Sequence, residues 1–439
     1  LWGVGSSVAL ASWLPATIAR FFESGWGLAV GATAAVFLYC ALPYAAFGAW
    51  VAWTTGRRAA MPLAVSIGWA ACELFRVHGA IEVPWGLLAF TQAPWLAIVQ
   101  SADLLGAIGL GMLIAAVNAS LAGLLTRAPR GWRSAWVTAG LFLLIWGYGG
   151  LRLGQDFGVG EPVSVAVVQG GIESELRLDL ARSEQNLEHY LEMTREAQGS
   201  EPALVLWPEL ALQFPFAARP ELWQRIAETS RAHGAELLVG APHVRTRLFV
   251  REQLNSAFLV RDGRIADRHD KVALMPFSEM RPVGLPIGRE PYLAGLELRP
   301  LSSRSGELGV LLCSELLHPG LARRLVDAGA QWLANPSNDD WFSTPAAADH
   351  QLAVAVFRAV ENRRPVLRPS TNGRAAIIDA HGRLLAVAPY RQPAVLEATL
   401  QPSDSDTLYG HVGGLSPAPL ASGLVLASVF HLAVVRRRN

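Results

Sequence analysis

Apolar residues are spread unevenly along the chain, and the pattern changes near residue 155. Before that point, apolar stretches follow one another with few charges, each near the roughly 20 residues that a membrane-crossing helix needs. We predict spans near 1–20, 27–53, 60–75, 96–125 and 133–150, and a last one near 417–435. Glycine, proline and tryptophan within these stretches are compatible with membrane helices. The pattern predicts an α-helical transmembrane bundle.

After residue 160, short apolar strands alternate with amphipathic helices, which is typical of an α/β domain. The predicted strands are 163–168, 203–207, 236–240, 255–260 with a hairpin partner to 268, 309–312, 331–334, 365–369, 375–379 and 393–398; the predicted helices are 173–198, 220–233, 320–328 and 345–361. Asp262-Gly263 predicts the hairpin turn. We expect a membrane region at 1–155, an α/β domain at 156–410, and a last membrane helix with a basic tail at 411–439.

Composition narrows the possible functions. Of 439 residues, 17% are charged, below the roughly 25% of soluble domains. The net charge of +1 gives no reason to expect a nucleic-acid partner. Cys40 and Cys72 lie in apolar stretches and Cys313 in the α/β part, so a disulfide framework is not predicted. Because Leu1 lies inside an apolar stretch, we expect a truncated or processed N-terminus.

Arginines between the predicted spans indicate the orientation. The clusters are Arg57 and Arg58, then Arg127, Arg130 and Arg133, and finally Arg436, Arg437 and Arg438. Alternating through six spans puts all three clusters on one side, which the positive-inside rule makes the cytoplasm. The α/β domain is therefore expected to be extracytoplasmic.

The segment from Arg76 to Trp95, on the outer side in this topology, is rich in aromatic residues. An interfacial belt of aromatic side chains is the commoner reason for such a composition. A lipid or substrate entrance beneath the outer domain is the alternative, and the sequence leaves both interpretations open.

Glu209, Lys271 and Cys313 each stand at the end of a predicted strand. A thiol nucleophile needs a base for its proton and a positive donor for the oxyanion, and a carboxylate and an ammonium supply both. Each residue alone also has an ordinary interpretation: a core cysteine, an acid at a helix N-terminus and a solvated lysine. Together, in one α/β domain, they favour an active site.

The motifs around these residues resemble those of the nitrilase, or carbon–nitrogen hydrolase, superfamily. The matching segments are Val168-Gln169-Gly170, Trp207-Pro208-Glu209, Asp270-Lys271, Pro276-Phe277-Ser278-Glu279, Pro282, Cys313-Ser314-Glu315, 335–342, His350 and 358–363. In the membrane part, Glu73-Leu74-Phe75-Arg76, Pro84-Trp85, 100–103 and Asn118 are similar to the apolipoprotein N-acyltransferase branch. The resemblance implies a four-layer αββα sandwich above a membrane bundle, with Glu209, Lys271 and Cys313 as the catalytic triad.

The resemblance also implies a reaction, in which an acyl chain passes from a membrane phospholipid through a Cys313 thioester to the amine of a diacylglyceryl-cysteine lipoprotein. Glu279 and Glu315 are implied to support the lysine and the oxyanion donors. Substrate contacts are expected at Trp207, Phe277, Ser314 and Trp85. The resemblance implies neither metal nor cofactor, and a multi-pass monomer of the bacterial inner membrane.

The chain departs from the family pattern at three places. Ser314 stands where the family usually has Tyr, Ser278 stands where it has Gly, and 370–374 differs from the usual segment. The family has eight spans rather than six, which fits a lost start. The alternatives are a membrane-anchored amidase in which water takes the acyl group, a paralogue with another acceptor, and a non-catalytic binding or assembly protein. A transporter is disfavoured because no inverted repeat is evident.

Overall fold

The structure is a computed structural model that describes residues 2–21, 25–55, 61–79, 82–128, 131–173, 176, 179–197, 201–247, 250–275, 278–280, 292–341 and 344–412. The helices are α1 (Trp2–Ala11), α2 (Leu14–Phe21), α3 (Trp26–Thr55), α4 (Met61–His78), α5 (Leu96–Val99), α6 (Ala102–Leu125), α7 (Gly131–Arg152), α8 (Ser183–Glu196), α9 (Pro220–His233), α10 (Pro319–Asp327), α11 (Pro345–Asn362) and α12 (Leu408–Val412). The strands are β1 (Val163–Gln169), β2 (Leu204–Leu206), β3 (Glu236–Arg247), β4 (Val250–Arg261), β5 (Arg264–Asp270), β6 (Leu301–Ser303), β7 (Gly306–Val310), β8 (Trp332–Ala334), β9 (Val366–Arg368), β10 (Ala376–Ile378), β11 (Leu384–Val387) and β12 (Ala394–Leu400).

The strands form two six-stranded sheets built on the same plan. The first sheet has the order β12-β1-β2-β3-β4-β5, and the second has the order β11-β10-β9-β8-β7-β6. In each sheet three central strands are parallel, β1 to β3 in the first and β7 to β9 in the second, and the flanking strands are antiparallel. Because parallel strands end at the same edge of a sheet, the loops that follow β1, β2 and β3 lie close together, and so do the loops that follow β7, β8 and β9.

Alternating side chains in each strand assign the layers. On β1, Val165 and Val167 enter the core between the two sheets, whereas Ala166 and Val168 face α8 and α9. The outer face of the second sheet is covered by α10 and α11, where Phe357 is wholly buried. This order of helix, sheet, sheet and helix confirms the predicted αββα sandwich.

The membrane region packs on the α11 side of the sandwich. Val99 and Leu110 belong to the same buried cluster as Phe357. Within the described residues, three helices are long and apolar enough to cross a membrane: Trp26–Thr54, Ala102–Leu125 and Gly131–Arg152. The α/β domain is therefore joined to apolar helices through one of its helical layers.

Several predicted elements differ from those observed. The span expected at 1–20 is broken between α1 and α2, and α6 is kinked at Gly106, whose φ is +67°. Within the helix expected at 173–198, the structure describes the α-helix Ser183–Glu196, preceded by a short 3₁₀ turn at Leu180–Arg182. Strands β6 and β11 were not predicted, because strands of three and four residues are too short to show a clear alternation of apolar and polar positions. The predicted span at 417–435 lies outside the described residues. Of the arginines that were used to predict the orientation, only Arg127 and Arg133 lie within them.

The predicted hairpin turn is confirmed. Asp262 and Gly263 have φ values of +51° and +72°, and Arg261 pairs with Arg264 across them. Two successive residues with positive φ are what a tight two-residue hairpin requires.

Candidate active site

The two sheets contribute different parts of the candidate site. Glu209 follows β2 and Lys271 follows β5 in the first sheet, whereas Cys313 follows β7 in the second. All three side chains are buried. Lys271 Nζ lies 2.9 Å from Glu209 Oε1, so the structure brings together two residues that are 62 positions apart.

The backbone holds Cys313 in an unusual conformation. Its φ of +47° is left-handed, which a residue with a Cβ rarely adopts and which recurs at functional sites. Its N–H donates to Pro336 O at 2.8 Å, and Asn335 Nδ2 donates to Cys313 O at 3.2 Å. The thiol Sγ lies 3.9 Å from Asn338 O. These contacts fix the direction of the thiol at the start of the short helix Cys313–Leu317.

Lys271 lies between two carboxylates. Its ammonium is 2.9 Å from Glu279 as well as from Glu209. Asn255 Nδ2 donates to both acids, at 2.8 Å to Glu209 and 2.9 Å to Glu279. The backbone N–H of Asn338 donates to the other oxygen of Glu209 at 3.1 Å, which links the carboxylate to the segment that touches the thiol.

Burial and charge shift the pKa values of these groups. Burial raises the pKa of Glu209, against the opposing effect of Lys271. Burial alone would lower the pKa of Lys271, but the charges of Glu209 and Glu279 outweigh it and raise that pKa well above the usual value. Burial, then Glu209, raise the pKa of the Cys313 thiol, while Lys271 opposes the rise. The resting site therefore holds a neutral thiol beside a charged lysine and a carboxylate of increased basicity.

Glu315 ties the two halves together. Its Oε1 accepts the N–H groups of Val272 at 2.7 Å and Ala273 at 3.0 Å, just after Lys271. Its Oε2 accepts the N–H of Leu312 at 2.7 Å, just before Cys313, and contacts His269 Nε2 at 3.2 Å. Burial would raise the pKa of Glu315, but the hydrogen bonds from His269 and the backbone lower it overall. One carboxylate thus sets the spacing between the lysine and the cysteine.

A second buried pair supports the segment beneath the thiol. Asp339 accepts from Arg368 at 2.8 Å, and neither side chain is exposed. Thr371 Oγ1 donates to Asn338 Oδ1 at 2.9 Å. Together these contacts fix Asn338, whose carbonyl faces Cys313 and whose N–H binds Glu209.

Four further polar residues of the site were not predicted from the sequence: Asn255, Asn338, Asp339 and Arg368. A polar residue inside or directly after an apolar strand pattern could have indicated them. Such a residue is expected to be buried, and buried polar groups are hydrogen-bonded to partners. Asn255 begins a predicted strand, and 335–342 was noted only as a matching segment.

The residues expected to contact substrate lie in different surroundings. Trp207 is wholly buried, stacks on Tyr190 at 5.3 Å and donates to Thr194 at 2.9 Å, a placement that favours core packing. Ser314 is buried beside Cys313, and its Oγ has no hydrogen-bond partner in the described part of the chain. Phe277 lies outside the described residues.

Trp85 does not belong to the group of residues around Glu209, Lys271 and Cys313. Its ring stacks on that of His350, with the ring centroids 4.4 Å apart. Gly86 N–H donates to His350 Nε2 at 2.8 Å. Burial, with the nearby charge of Arg76, lowers the pKa of His350 to about 4, so the ring is neutral at pH 7 and accepts this hydrogen bond. The aromatic segment is thereby attached to α11.

A cavity of about 760 Å³ lies between the membrane helices and α11. It is mostly apolar, and its walls include Leu10 of α1, Tyr44 of α3, Leu87, His350 and Leu384. The sequence suggested either an aromatic belt or a lipid entrance for the segment from Arg76 to Trp95, and residues 86–94 of that segment form part of the lining. Within the described residues, no cluster of three or more His, Cys, Asp or Glu side chains is arranged to hold a metal ion.

Comparison with known proteins gives two family matches. The carbon–nitrogen hydrolase family model matches residues 164–408, and the model of the apolipoprotein N-acyltransferase N-terminal domain matches residues 1–120. The apolipoprotein N-acyltransferase of Geobacter metallireducens is 30% identical over 453 residues, which cover 100% of this chain and 86% of that protein. That of Caulobacter vibrioides is 31% identical, over 98% of this chain and 83% of its own. Among solved structures, Saccharomyces cerevisiae Nit3, a member of branch 10 of the nitrilase superfamily, has a TM-score of 0.45 at 19% identity, over 60% of this chain and 96% of its own.

Proposed function

The chain belongs to the apolipoprotein N-acyltransferase family, and on that premise we propose that it transfers a fatty acyl chain from a membrane phospholipid to the N-terminal amine of a diacylglyceryl-cysteine lipoprotein. The observation that carries the proposal is a buried cluster in which the Lys271 ammonium lies 2.9 Å from Glu209, and Asn338 contacts both Glu209 and the Cys313 thiol. This arrangement offers a nucleophile, a base and a cation without a cofactor.

In the first half-reaction, Glu209 takes the thiol proton of Cys313 as the sulfur attacks an ester carbonyl of the phospholipid. The carbonyl oxygen becomes negative, and Lys271 stabilises it. An ammonium carries three N–H groups, so one bond to each of Glu209 and Glu279 leaves a third for this oxygen. The ester C–O bond then breaks, Glu209 returns the proton to the leaving oxygen, and a lysophospholipid departs from an acyl-thioester.

In the second half-reaction, the amine of the acceptor attacks the thioester carbonyl. Glu209 takes a proton from the attacking nitrogen, Lys271 again stabilises the oxyanion, and the C–S bond breaks. The thiolate recovers the proton from Glu209. The product is an amide, and the enzyme returns to its resting state with Cys313 free.

The cavity of about 760 Å³ suits the acyl chains of the donor, because its walls are mostly apolar and come from both α11 and the membrane helices. Apolar lining favours a hydrocarbon chain over water by roughly 25 cal/mol for each Å² removed from water. The proposal therefore favours the lipid-entrance interpretation of the segment from Arg76 to Trp95.

The proposal includes location and domain division: a multi-pass monomer in the bacterial inner membrane, with a membrane region at 1–155, a catalytic domain at 156–410 outside the cytoplasm, and a last span within 411–439. The arginine clusters in the sequence support this orientation.

A cysteine introduced at Ile265 of β5 tests the orientation. It should react with a membrane-impermeant maleimide in intact spheroplasts. Reaction only after the cells are opened would reverse the orientation.

The test of the reaction is intact-mass analysis of the purified protein after incubation with phospholipid. We expect a hydroxylamine-sensitive acyl adduct on the wild type and none on Cys313→Ala. A diacylated lipopeptide should then remove the adduct and appear as a triacylated product. Cys72→Ala, which removes a buried thiol of the membrane region, is the matched control and should still be acylated.

The other outcomes separate the alternatives. Loss of the adduct to water, with the lipopeptide unchanged, would identify a hydrolase. Discharge by a different amine would identify a paralogue with another acceptor. An adduct that persists on Cys313→Ala, or none on the wild type, would contradict the proposal.

A further inference from the structure

Strand β11 is the last strand of the second sheet and carries apolar side chains into the open. Leu384 and Leu385 are each 46% exposed, and Val387 is 36% exposed. In the described part of the chain β11 pairs with β10 and has no strand on its other side. An exposed apolar edge strand facing water would be a site of aggregation.

One end of β11 adjoins the membrane region. Leu384 and the preceding Gly382 line the same cavity as Leu10 of α1 and Tyr44 of α3. Helix α3 is one of the helices long and apolar enough to cross a membrane. The apolar surface of β11 is therefore continuous with the lining of a cavity to which helices α1 and α3 of the membrane region contribute.

The other end of β11 leads to an aromatic and basic turn. The guanidinium of Arg391 lies 5.5 Å from the centre of the Tyr390 ring, and Arg391 is exposed. Tyrosine and arginine beside apolar side chains are typical of a membrane–water interface, where the ring and the charge reach the headgroups. Arg391 N–H also donates to Asn372 O at 3.2 Å, and Asn372 Nδ2 donates to Asp340 at 3.1 Å. The turn therefore adjoins the segment that carries Asn338.

We propose that β11 and the Tyr390-Arg391 turn form a lipid-contacting edge, which lies in the interfacial layer of the bilayer. Leu384, Leu385 and Val387 contact the acyl chains and glycerol region, and Arg391 contacts lipid phosphates. The edge runs from the cavity towards the candidate site, so it would hold the sandwich at a constant depth relative to the lipids. This surface goes beyond the proposed reaction and does not depend on it.

The opposite edge of the sandwich provides a matched control. Strand β5 ends the first sheet, as β11 ends the second. Its Ile265 is 45% exposed, nearly the same as Leu385, and lies beside Phe216 and Trp223 in a surface groove. The two positions have the same chemistry and exposure, but only Leu385 adjoins residues that line a cavity with α1 and α3.

The experiment uses the full chain in phospholipid nanodiscs. Leu385→Cys and Ile265→Cys are each labelled with an environment-sensitive fluorophore, and the wild type measures background labelling of its buried cysteines. Some discs contain phospholipids with a nitroxide near the headgroup. We expect the label at 385 to lose most of its emission to these lipids and to resist aqueous iodide, whereas the label at 265 should show the reverse.

The proposal is overturned if the two labels behave alike, since both edges then face water. It is also overturned if the label at 385 resists both quenchers, because protein then covers the strand: a second copy if the protection fades on dilution, or another segment of the chain if it does not. Circular dichroism of both variants checks that they are folded. The measurement needs no acyl transfer, so its failure and that of the proposed reaction are distinguishable.

Discussion

The two helical layers of the sandwich cover equivalent sheets but meet different surroundings. Helix α9, on the first sheet, buries one stripe that includes Leu222 and Ile226 and exposes charged residues on the other side. Helix α11, on the second sheet, buries both faces, one against the sheet and the other against the membrane region. A helical layer of this fold can thus face water or pack against membrane helices, depending on the residues on the side away from the sheet.

Ion pairs differ between the two helical layers in the same way. In the layer that covers the first sheet, here called the outer layer, Arg225 of α9 lies 3.3 Å from Glu184 of α8, and both side chains are partly exposed. The layer that covers the second sheet, formed by α10 and α11, is called the inner layer. On the second sheet, Arg363, just after α11, binds Asp103 of α6 at 2.6 Å, and both side chains are buried. The candidate site crosses the division, since Glu209 and Lys271 belong to the first sheet and Cys313 to the second.

The largest expected effect comes from removing Glu209, the proposed base, which follows a strand of the first sheet. Glu209→Gln should slow acylation of Cys313 by about 10²- to 10⁴-fold, because general-base catalysis contributes that much. Intact-mass time courses with phospholipid measure the rate. Glu228→Gln, the same change on the exposed side of α9, should leave it unchanged. An unimpaired Glu209→Gln would show that Glu209 is not the base.

Next is the buried pair that joins the inner layer to the membrane region. Arg363→Met should lower the free energy of unfolding by about 3–5 kcal/mol, since it leaves Asp103 buried with one partner fewer. Arg152 and Tyr148, each 2.8 Å from Asp103, limit the loss. Denaturant unfolding in detergent measures it. A loss no greater than that of an exposed pair would mean that the joint does not stabilise the fold.

The link between the two sheets at the site should have an intermediate effect that depends on pH. Glu315→Gln should lower the free energy of unfolding by about 1–3 kcal/mol at neutral pH, because an amide cannot accept all the hydrogen bonds that Glu315 accepts. The pKa of Glu315 is lowered in the fold, so its stabilisation is present above its ordinary pKa of 4.5 and is lost as the pH falls through the folded value.

The check is to compare unfolding of the wild type and Glu315→Gln at neutral pH and below pH 4.5. The difference between them should shrink in acid. A difference that is the same at both pH values would show that the carboxylate charge is not what stabilises the link.

The smallest effect is expected in the outer layer. Arg225→Met should change the free energy of unfolding by less than about 1 kcal/mol, because exposed ion pairs contribute little. It makes the same substitution as Arg363→Met, so the two variants compare the layers directly. Equal losses from both would contradict the distinction between a water-facing and a membrane-facing layer.

The sequence by itself determined the local features of this protein. Apolar stretches predicted membrane helices, alternating strands and helices predicted an α/β domain, and Asp262-Gly263 predicted its hairpin turn. Glu209, Lys271 and Cys313 were also visible, because each stands at or near the end of a predicted strand. Such features depend on neighbouring residues, and periodicity and turn chemistry reveal them.

Only the tertiary structure decided which of these features meet. Lys271 lies between Glu209 and Glu279, Asn255 bonds to both acids, and Glu315 binds the backbone of the opposite sheet. The alternation of a strand reveals its buried face but neither its neighbour nor its place in the sheet, so no local pattern predicts these contacts. The same reason applies to β11, whose exposure beside the membrane helices follows from its position at the end of the second sheet.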